Sequence, residues 1–341
     1  MSVVIWGAGA IGGTIGAYLI RAGHDVLFVD TDAHHVSAIN QNGLTIEGPI
    51  DTFTVPACAQ IPQTVSGPFD AVWLATKAQH TRSATGMIAP HLSPTGHILS
   101  LQNGLTELIV AERIGRDRTL GAFINFGADY LEPGRILYGG RGACVVGELD
   151  GAMTARLATT HSLLQTFDDD AIATPNIFGY TWGKLGYGAL LFATALTNDS
   201  IADCLDREED RPMLTALARE ICSVAAAEGV TPLGFNGYEP SAFLPGADPG
   251  ATAASFDAMV THNAKSAKTH SGIWRDLAVR HRLTEVSPIL TKPVAIGRRH
   301  SIPMPLTQRL IAMIKEIEEG ERPMGTDNMS ELRTLHQANR S

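Results

Sequence analysis

Apolar runs and helical patterns alternate along the first half of the chain. Runs rich in Val, Ile, Leu and Phe that lack polar alternation, typical of strands buried on both faces of a sheet, lie at 2–6, 25–30, 71–76, 97–103 and 119–130. Residues 14–23 carry apolar side chains at helical spacing and end at a glycine that suits a helix C-terminus. The pattern predicts an α/β domain with a mostly parallel sheet that continues to about residue 150.

The second half of the chain has a different pattern. From about residue 178 it consists of long helical stretches such as GKLGYGALLFATALT. We predict one domain over residues 1–172, a mainly helical domain over 173–325 and a polar tail over 326–341. The stretch 234–255, rich in Gly and Pro, is predicted to be a loop over a cleft or a dimer surface.

Composition narrows the class of protein. A chain of 341 residues exceeds what one core usually supports, which agrees with two domains. A net charge of −9 disfavours nonspecific binding to nucleic acid or to an anionic membrane. Cys58, Cys144, Cys204 and Cys222 form no CxxC pair, and neither a membrane-spanning run nor a signal peptide is recognisable. We expect a cytoplasmic protein that acts on a small molecule.

The first predicted strand runs directly into GAGAIGG, where Gly7, Gly9 and Gly12 have the spacing GxGxxG. The motif alone is weak, but here strand, glycine turn, helix and second strand follow within about 30 residues, as the dinucleotide fingerprint requires. Gly7 is expected to permit the tight turn, Gly9 to let the backbone approach a pyrophosphate, and Gly12 to pack helix against strand. With Ala10 and Ile11, they open a helix whose N–H groups would hold phosphates. The motif predicts a Rossmann-type, cofactor-binding domain.

Asp30 ends the second predicted strand, where a carboxylate can accept hydrogen bonds from the ribose hydroxyls of the cofactor. A 2′-phosphate there would meet a like charge, so NAD(H) is favoured, while NADP(H) stays open. Asp32 is an alternative for the same role. The structural alternative is that Asp30 is only a helix N-cap or turn residue.

Three further polar residues interrupt apolar runs. Lys77 follows the run at 71–76, and Asn103 ends the next one, so both belong to the carboxyl edge of the sheet, where open α/β sheets bind ligands. Lys184 lies in TWGKLGYGALL, an otherwise apolar helical pattern. An ammonium beside a ketone can stabilise the negative charge that develops on its oxygen during hydride transfer, and can then donate the proton.

Taken together, these segments resemble the 2-dehydropantoate 2-reductases, or ketopantoate reductases, of pantothenate biosynthesis. The resemblance covers nearly the whole chain and rests on GAGAIGG, ATKAQ, LQNGL, WGKL and RDLAVRHRLTEV, in this order. It implies a helical second domain like the C-terminal domain of 6-phosphogluconate dehydrogenase, an active site between the domains and a homodimer.

The resemblance also implies roles for individual residues. Lys184 matches the general acid of the family, and Glu285 matches a glutamate that holds the substrate hydroxyl. Lys77 and Asn103 match residues that contact both cofactor and substrate. Ser271 is nearest to a serine that contacts the substrate carboxylate.

Two features depart from the family pattern. Gly188 and Phe192 stand where members carry asparagines after the lysine, and VDTD stands where a basic residue usually holds the NADPH phosphate. What replaces the asparagines is open. The departures affect the identity of the substrate and the choice of dinucleotide, whereas the hydride chemistry is unaffected.

Structural alternatives stand beside these roles. Lys184 could extend along the helix surface, Lys77 could end a strand, and Asn103 could form a turn. Glu285 could pair with Arg280 or Arg282 on a solvated face. Other polar residues near Glu285 form a candidate carboxylate site or an ordinary charged helix start: Lys268, His270, Ser271 and Arg275. The histidine spacing fits no known metal motif, so we expect no metal.

We predict an NAD(P)H-dependent reductase of a small 2-oxo acid, ketopantoate or a related substrate, with Lys184 as general acid. The alternatives are an NAD-dependent dehydrogenase of another hydroxy acid or lactone, a methyltransferase that uses S-adenosylmethionine, and a non-catalytic dinucleotide-sensing protein. GAGAIGG opening a helix, together with the helical second domain, argues against the methyltransferase. The sequence does not determine the substrate, the physiological direction or the oligomer size.

Overall fold

The computed structural model describes residues 2–265 and 269–339 and divides the chain into two compact units. The first unit ends at Ile177, and the second begins at Phe178. The predicted boundary at residue 172 lies slightly too early because the short strand Ile172–Ala173 pairs with a strand of the first unit.

Strands and helices alternate in the first unit. Its strands, in chain order, are β1 (Ser2–Trp6), β2 (Asp25–Val29), β3 (Leu44–Glu47), β4 (Phe53–Val55), β5 (Cys58–Gln60), β6 (Phe69–Leu74), β7 (Leu92–Ser100), β8 (Thr119–Ile124), β9 (Gly127–Glu132), β10 (Arg135–Gly140), β11 (Cys144–Glu148) and β12 (Ile172–Ala173). Its helices are α1 (Ala10–Arg21), α2 (Ala33–Asn42), α3 (Thr81–Ile88), α4 (Thr106–Ile114) and α5 (Ala155–Gln165).

Eight of these strands form one sheet in the order β12, β11, β8, β7, β6, β1, β2, β5. Apart from the antiparallel pair β8 and β11, the neighbouring strands in the described part of the chain run parallel. In β1, Val3 and Ile5 pack into one apolar core, and Val4 and Trp6 pack into another. Both faces of the strand are therefore covered, which explains its unbroken apolar run. The predicted mostly parallel sheet is confirmed.

A second sheet, which the sequence analysis did not predict, has the strand order β4, β3, β10, β9. Tyr18 of α1 packs edge-on against Phe53 and Tyr138 of this sheet, with ring centroids 5.1 and 5.9 Å away. The strands are short and partly exposed, and β9 is exposed over most of its length. Such strands lack the long apolar run by which a buried strand is recognised.

The second unit is helical, as predicted. Its helices within the described residues are α6 (Ile177–Thr194), α7 (Ile201–Asp206), α8 (Arg211–Ala227), α9 (Pro249–Ala264), α10 (Gly272–Ala278), α11 (Val286–Arg299), α12 (Pro305–Glu318) and α13 (Asp327–Ala338). The first residue of α6, Ile177, groups with the first unit.

The predicted polar tail at 326–341 is wrong because α13 occupies most of it. Met329 and Leu332 are fully buried, and the side-chain amide of Asn328 donates to the carbonyl oxygen of Leu196 at 2.9 Å. Arg333 pairs with Asp210, a carboxylate with no solvent exposure. The fully buried apolar residues of this helix, Met329 and Leu332, are too few to give a recognisable amphipathic pattern, and its other contacts are polar, such as the pair of Glu331 with Arg309.

The predicted loop at 234–255 is wrong at its end because α9 begins inside it. Asp248 is the N-cap of α9, its carboxylate accepts from the N–H of Gly250 at 3.2 Å, and Pro249 is the first helical residue. Proline is favoured at this position because its missing N–H would have no intrahelical partner. Part of the Gly/Pro-rich stretch is therefore a helix start.

Candidate active site

The glycine turn, residues 7–12, joins β1 to α1, and its three motif glycines have different surroundings. Gly7 has a φ of +105°, and a Cβ there would lie 2.8 Å from the carbonyl carbon of Ala75. A Cβ on Gly12 would lie 2.1 Å from the carbonyl oxygen of Gly7. Beyond its chain neighbours, no described atom lies within 4 Å of a Cβ placed on Gly9. The turn needs glycine for its own packing at two positions and is open at the third.

The N-terminus of α1 is accessible at this open position. Gly9, Ala10 and Ile11 are partly exposed, whereas residues 12–19 are buried. Gly9 is the N-cap and has no side chain to accept from the first N–H groups of the helix. These groups carry the partial positive charge of a helix N-terminus. The end of α1 therefore fits an anionic pyrophosphate in space and in charge.

Asp30 follows β2 and contacts the glycine turn. Its carboxylate accepts from the backbone N–H of Ala8 at 2.8 Å and from that of Asp32 at 3.0 Å. Asp32, in turn, is the N-cap of α2 and accepts from the N–H groups of His34 and His35. The turn role considered for Asp30 is thus present, while the cap role belongs to Asp32. Asp30 is only partly buried, so its carboxylate can still reach a ligand.

Tyr130 joins this cluster, and it is not recognisable from the sequence. It comes from β9 of the second sheet, and its hydroxyl donates to the carboxylate of Asp32 at 3.5 Å. Burial, followed by the negative charges of Asp32 and Asp30, raises the pKa of Tyr130 to about 12. The hydroxyl therefore stays a hydrogen-bond donor at neutral pH. Local sequence patterns carry no signal for this contact, because the residues are far apart in the chain.

Lys77 and Asn103 are both exposed, in the loops that follow β6 and β7. The side-chain amide of Gln102 connects the two loops by donating to the carbonyl oxygen of Thr76 at 2.8 Å. Its oxygen accepts from the hydroxyl of Thr81 at 3.2 Å. Gln102 is a positioning residue that the sequence analysis did not identify.

The strand order brings these predicted residues to one edge of the sheet. Because β7, β6, β1 and β2 are parallel neighbours in that order, Asn103, Lys77, the glycine turn and Asp30 follow one another along the carboxyl edge. This is where open α/β sheets bind ligands.

In the second unit, Lys184 lies on a partly exposed stripe of α6. Tyr180, Lys184, Gly188 and Leu191 are partly exposed, whereas the residues on the other sides of the helix are largely buried. Spacings of four, four and three residues place these side chains on one face. Lys184 therefore belongs to the accessible face of a mostly buried helix.

Packing explains two of the glycines of α6 but not Gly188. A Cβ on Gly183 would lie 1.9 Å from the carbonyl oxygen of Leu233, and one on Gly186 would lie 2.2 Å from the hydroxyl oxygen of Tyr238. A Cβ on Gly188 would meet only the ring of Phe192, at 3.9 Å, among the described atoms considered. Gly188 thus leaves open space one helical turn from Lys184.

Glu285 lies at the N-terminus of α11 and is only 9% exposed, so it is not on a solvated face. Arg280 and Arg282, the partners considered for it, each contact Asp276, at 3.4 and 2.8 Å, while Arg280 and Glu285 both make further interactions. A buried carboxylate at a helix N-terminus is favoured by the partial positive charge there.

Ser271 is the N-cap of α10, and its hydroxyl accepts from the N–H of Trp274 at 3.2 Å. His270 stacks on Trp274 with ring centroids 4.0 Å apart. The helix-start interpretation of this segment therefore holds for Ser271, whose hydroxyl can still donate to a ligand. Lys268, the other predicted member, lies outside the described residues.

The described residues contain no group of three or more His, Cys, Asp or Glu side chains arranged to hold a metal ion. Across residues 2–265 and 269–339, no helix is both long and apolar enough to cross a membrane.

The fold and the glycine turn define a protein of the dinucleotide-binding class with a helical second unit. Residues 3–151 match the family described as ketopantoate reductase PanE/ApbA, and residues 176–318 match the C-terminal domain of the same family. The chain therefore belongs to the ketopantoate reductase family, a family of oxidoreductases.

Individual relatives agree with this assignment. The chain is 30% identical to a 2-dehydropantoate 2-reductase of Pyrococcus abyssi over 67% of its own length and 75% of that protein. It is 25% identical to that of Halobacterium salinarum over 92% and 98%. A ketopantoate reductase structure from Ralstonia eutropha JMP134 has a TM-score of 0.77 at 26% identity and covers 94% of this chain and 99% of its own. D-mandelate dehydrogenase, solved with NADH and anilino(oxo)acetate, shares the fold at a TM-score of 0.80 and 20% identity, with coverage of 94% and 99%.

Proposed function

We propose that this protein is an NAD(P)H-dependent reductase that converts a small 2-oxo acid, ketopantoate or a related one, to the 2-hydroxy acid. The observation that carries the proposal is the glycine turn, which is open at Gly9 beside the N-terminus of α1. Membership of the ketopantoate reductase family, with matches in both units, supports the same activity.

In this proposal Lys184 is the general acid. Reduction of a ketone builds negative charge on its oxygen, and the ammonium of Lys184 stabilises that charge and donates the proton. The nicotinamide, when bound, supplies the hydride. Glu285 holds the substrate hydroxyl, and Ser271 contacts the substrate carboxylate. Lys77 and Asn103, at the edge of the sheet, contact cofactor and substrate, and this positioning by the protein lowers the entropic part of the barrier.

We further propose that NADH is preferred over NADPH. The carboxylate of Asp30 is fixed at the end of β2, and Asp32 adds a second negative charge two residues later. A 2′-phosphate at this position would be repelled by both. Titration with each dinucleotide, followed by fluorescence, should give a lower Kd for NADH. Asp30→Asn removes one charge at nearly unchanged size and can keep only one of the two backbone hydrogen bonds, and it should narrow the difference between the two Kd values.

The test of the activity measures oxidation of NADH and NADPH by absorbance, with ketopantoate and a panel of other 2-oxo acids and keto-lactones. Wild type is compared with Lys184→Ala and with Lys315→Ala, which removes an exposed lysine of α12. We expect Lys184→Ala to lose about 10²–10⁴-fold in rate while it still binds cofactor, because that is the usual contribution of general acid catalysis. Lys315→Ala should behave as wild type.

Other outcomes would contradict parts of the proposal. If wild type binds a dinucleotide but reacts in neither direction, the dinucleotide-sensing alternative is favoured. If neither dinucleotide binds, the assignment of the glycine turn is wrong. If Lys184→Ala and Lys315→Ala have equal rates, Lys184 is not the acid.

A second candidate, a dehydrogenase of a different 2-hydroxy acid, is favoured by one observation. Gly188 leaves open space near Lys184, and the ring of Phe192 borders it. An apolar border and the absence of a side chain suit a substrate with a larger apolar group than ketopantoate carries. Comparing kcat/KM across 2-oxo acids with aliphatic and aromatic side chains tests this candidate.

Two further proposals concern the oligomeric state and the cellular location of the protein. A homodimer is proposed from the family resemblance, and light scattering on the purified protein would measure the mass of the particle. The cytoplasmic location likewise stays a prediction, to be tested by cell fractionation.

A further inference from the structure

Ala8, the residue between Gly7 and Gly9 in the glycine turn, is held at both of its backbone polar atoms. Its N–H donates to the carboxylate of Asp30 at 2.8 Å, and its carbonyl oxygen lies 2.9 Å from Nε2 of His35. Ala8 has no solvent exposure, and its contact with the buried His35 is shielded from water. The Asp30 contact belongs to the expected cofactor site, whereas the His35 contact has no role in the proposed reaction.

The surroundings of His35 determine which ring nitrogen carries the proton. The backbone N–H of Gly134, in the turn between β9 and β10, points at Nδ1 of His35 at 2.9 Å. Because a backbone N–H can only donate, Nδ1 must accept, so the neutral ring carries its proton on Nε2. Nε2 therefore donates to the carbonyl oxygen of Ala8.

His35 is also fixed in place by packing. It is 1% exposed, and the ring of Tyr130 packs edge-on against it with centroids 5.0 Å apart. Through His35 the turn of the second sheet, at Gly134, supports the glycine turn. The two segments are far apart in sequence, and this contact gives the second sheet a connection to the cofactor site.

The bond to Ala8 sets the orientation of the next peptide group. The peptide between Ala8 and Gly9 is trans, so the N–H of Gly9 points opposite to the carbonyl of Ala8. Since that carbonyl points at His35, the N–H of Gly9 points away from His35. Gly9 is also the residue at which the turn is open to a ligand.

We propose that His35 is a positioning residue for the cofactor: by holding the carbonyl of Ala8, it aims the N–H of Gly9 at the pyrophosphate of the dinucleotide. The inference rests on the proposed function only in requiring that a dinucleotide binds at the glycine turn. His35 acts on cofactor affinity and takes no part in proton transfer to the substrate.

Two conservative substitutions separate the two bonds of His35. Gln places its side-chain N–H₂ near the position of Nε2 and can still donate to Ala8, whereas Asn places its oxygen near Nδ1 and can accept only from Gly134. The control is His161→Asn, because Nε2 of His161 makes a similar contact to the carbonyl oxygen of Ala171 at 2.8 Å elsewhere in the first unit.

Each variant is measured for NADH affinity by fluorescence, for thermal stability, and for kcat at saturating NADH. We expect His35→Asn to raise the Kd for NADH about tenfold with kcat nearly unchanged, because one hydrogen bond is lost from the turn. His35→Gln should keep the wild-type Kd to within about threefold. His161→Asn should lower stability without changing the Kd.

The result that would overturn the inference is equal Kd values for His35→Asn and wild type, or equal losses for His35→Asn and His35→Gln. If His35→Asn does not fold, a large loss of affinity in folded His35→Gln would contradict the inference by itself. Failure of wild type to bind either NADH or NADPH would instead refute the proposed function, so the two failures are distinguishable.

Discussion

The glycine turn of the first unit and helix α6 of the second are both rich in glycine. In both regions, some glycines are required by packing and another leaves room that a ligand could fill. In each region, neighbouring atoms leave no room for a Cβ at two glycines, whereas a third glycine faces open space. The crowded glycines are Gly7, Gly12, Gly183 and Gly186, and the open ones are Gly9 and Gly188.

A glycine can be kept because protein atoms pack against it or because a ligand needs the space beside it. A glycine inside a helix costs about 1 kcal/mol relative to alanine, so it needs a compensating reason. At crowded positions the close approach of other atoms supplies that reason. At open positions the protein supplies none, and a bound molecule can. Under the proposed function, the pyrophosphate supplies this reason at Gly9 and the substrate supplies it at Gly188.

The largest effect is expected for Gly9→Ala. The added methyl group would occupy the space that the pyrophosphate needs and would displace the phosphate from the N–H groups of α1. Loss of hydrogen bonds to a charged group should weaken NADH binding on the order of 100-fold. Thermal stability should fall only slightly, because no other described atom lies within 4 Å of the new Cβ beyond the chain neighbours, and the loss is limited to the poorer N-cap that alanine makes. Fluorescence titration and a melting curve measure the two quantities.

The matched control is Gly86→Ala in α3, where a Cβ also meets nothing within 4 Å. It should leave NADH affinity unchanged. Equal affinities for Gly9→Ala and Gly86→Ala would show that an open glycine in the turn has no special role.

Gly183→Ala tests a glycine that is crowded by protein atoms. Its Cβ would lie 1.9 Å from a backbone oxygen, which cannot move aside without shifting the chain. Overpacking of this kind should lower the free energy of unfolding by roughly 1–3 kcal/mol. NADH affinity should be unchanged in the protein that remains folded. Chemical denaturation provides the measurement, and an unaltered midpoint would mean that α6 adjusts without cost.

Sequence patterns predicted the features that are local in the chain. The unbroken apolar run of β1 and the GxGxxG spacing are short-range signals, and they correctly predicted the sheet and the turn. Asp30 and Lys184 were also recognisable as polar residues beside apolar runs, although their chemical roles stay predictions. Local patterns of this kind extend over one element at a time.

Contacts between distant segments could not be predicted in this way. The contact of His35 with the turn at Gly134 joins α2 to the second sheet, and that sheet was not predicted at all. The sequence predicts a polar tail in place of α13 because the contacts of Asn328 and Arg333 are with residues more than a hundred positions earlier in the chain. Only the folded chain reveals which distant polar groups meet.

We expect His97, a buried polar residue in the large sheet of the first unit, to make the free energy of unfolding depend on pH. It is 4% exposed, and its Nε2 has no hydrogen-bond partner among the described residues. Burial, followed by the charge of Arg156, lowers its pKa from 6.5 to about 4. Between these values the unfolded chain binds a proton that the folded protein does not. The free energy of unfolding is therefore unaffected by His97 above pH 6.5. It falls as the pH drops towards 4, by at most about 1.4 kcal/mol per pH unit.

His97→Asn removes the titrating group, so its unfolding free energy should depend less on pH across that window. Denaturation curves for both proteins at a series of pH values provide the test. An identical pH dependence in the variant would show that His97 is not the source. This prediction sharpens the contrast with His35, a buried histidine whose two nitrogens both have partners.

Of the two substitutions in α6, Gly188→Ala is expected to have the smaller effect on stability. A methyl group there meets only the ring of Phe192, at an ordinary contact distance of 3.9 Å among the described atoms. Replacing a helical glycine without strain should therefore raise the free energy of unfolding by about 0.5–1 kcal/mol, in contrast to Gly183→Ala. If the open space takes the apolar group of the substrate, kcat/KM should fall more for aromatic than for small 2-oxo acids, with NADH affinity unchanged. If the variant gains stability and its kcat/KM changes by the same factor for all substrates, Gly188 faces solvent and not the substrate.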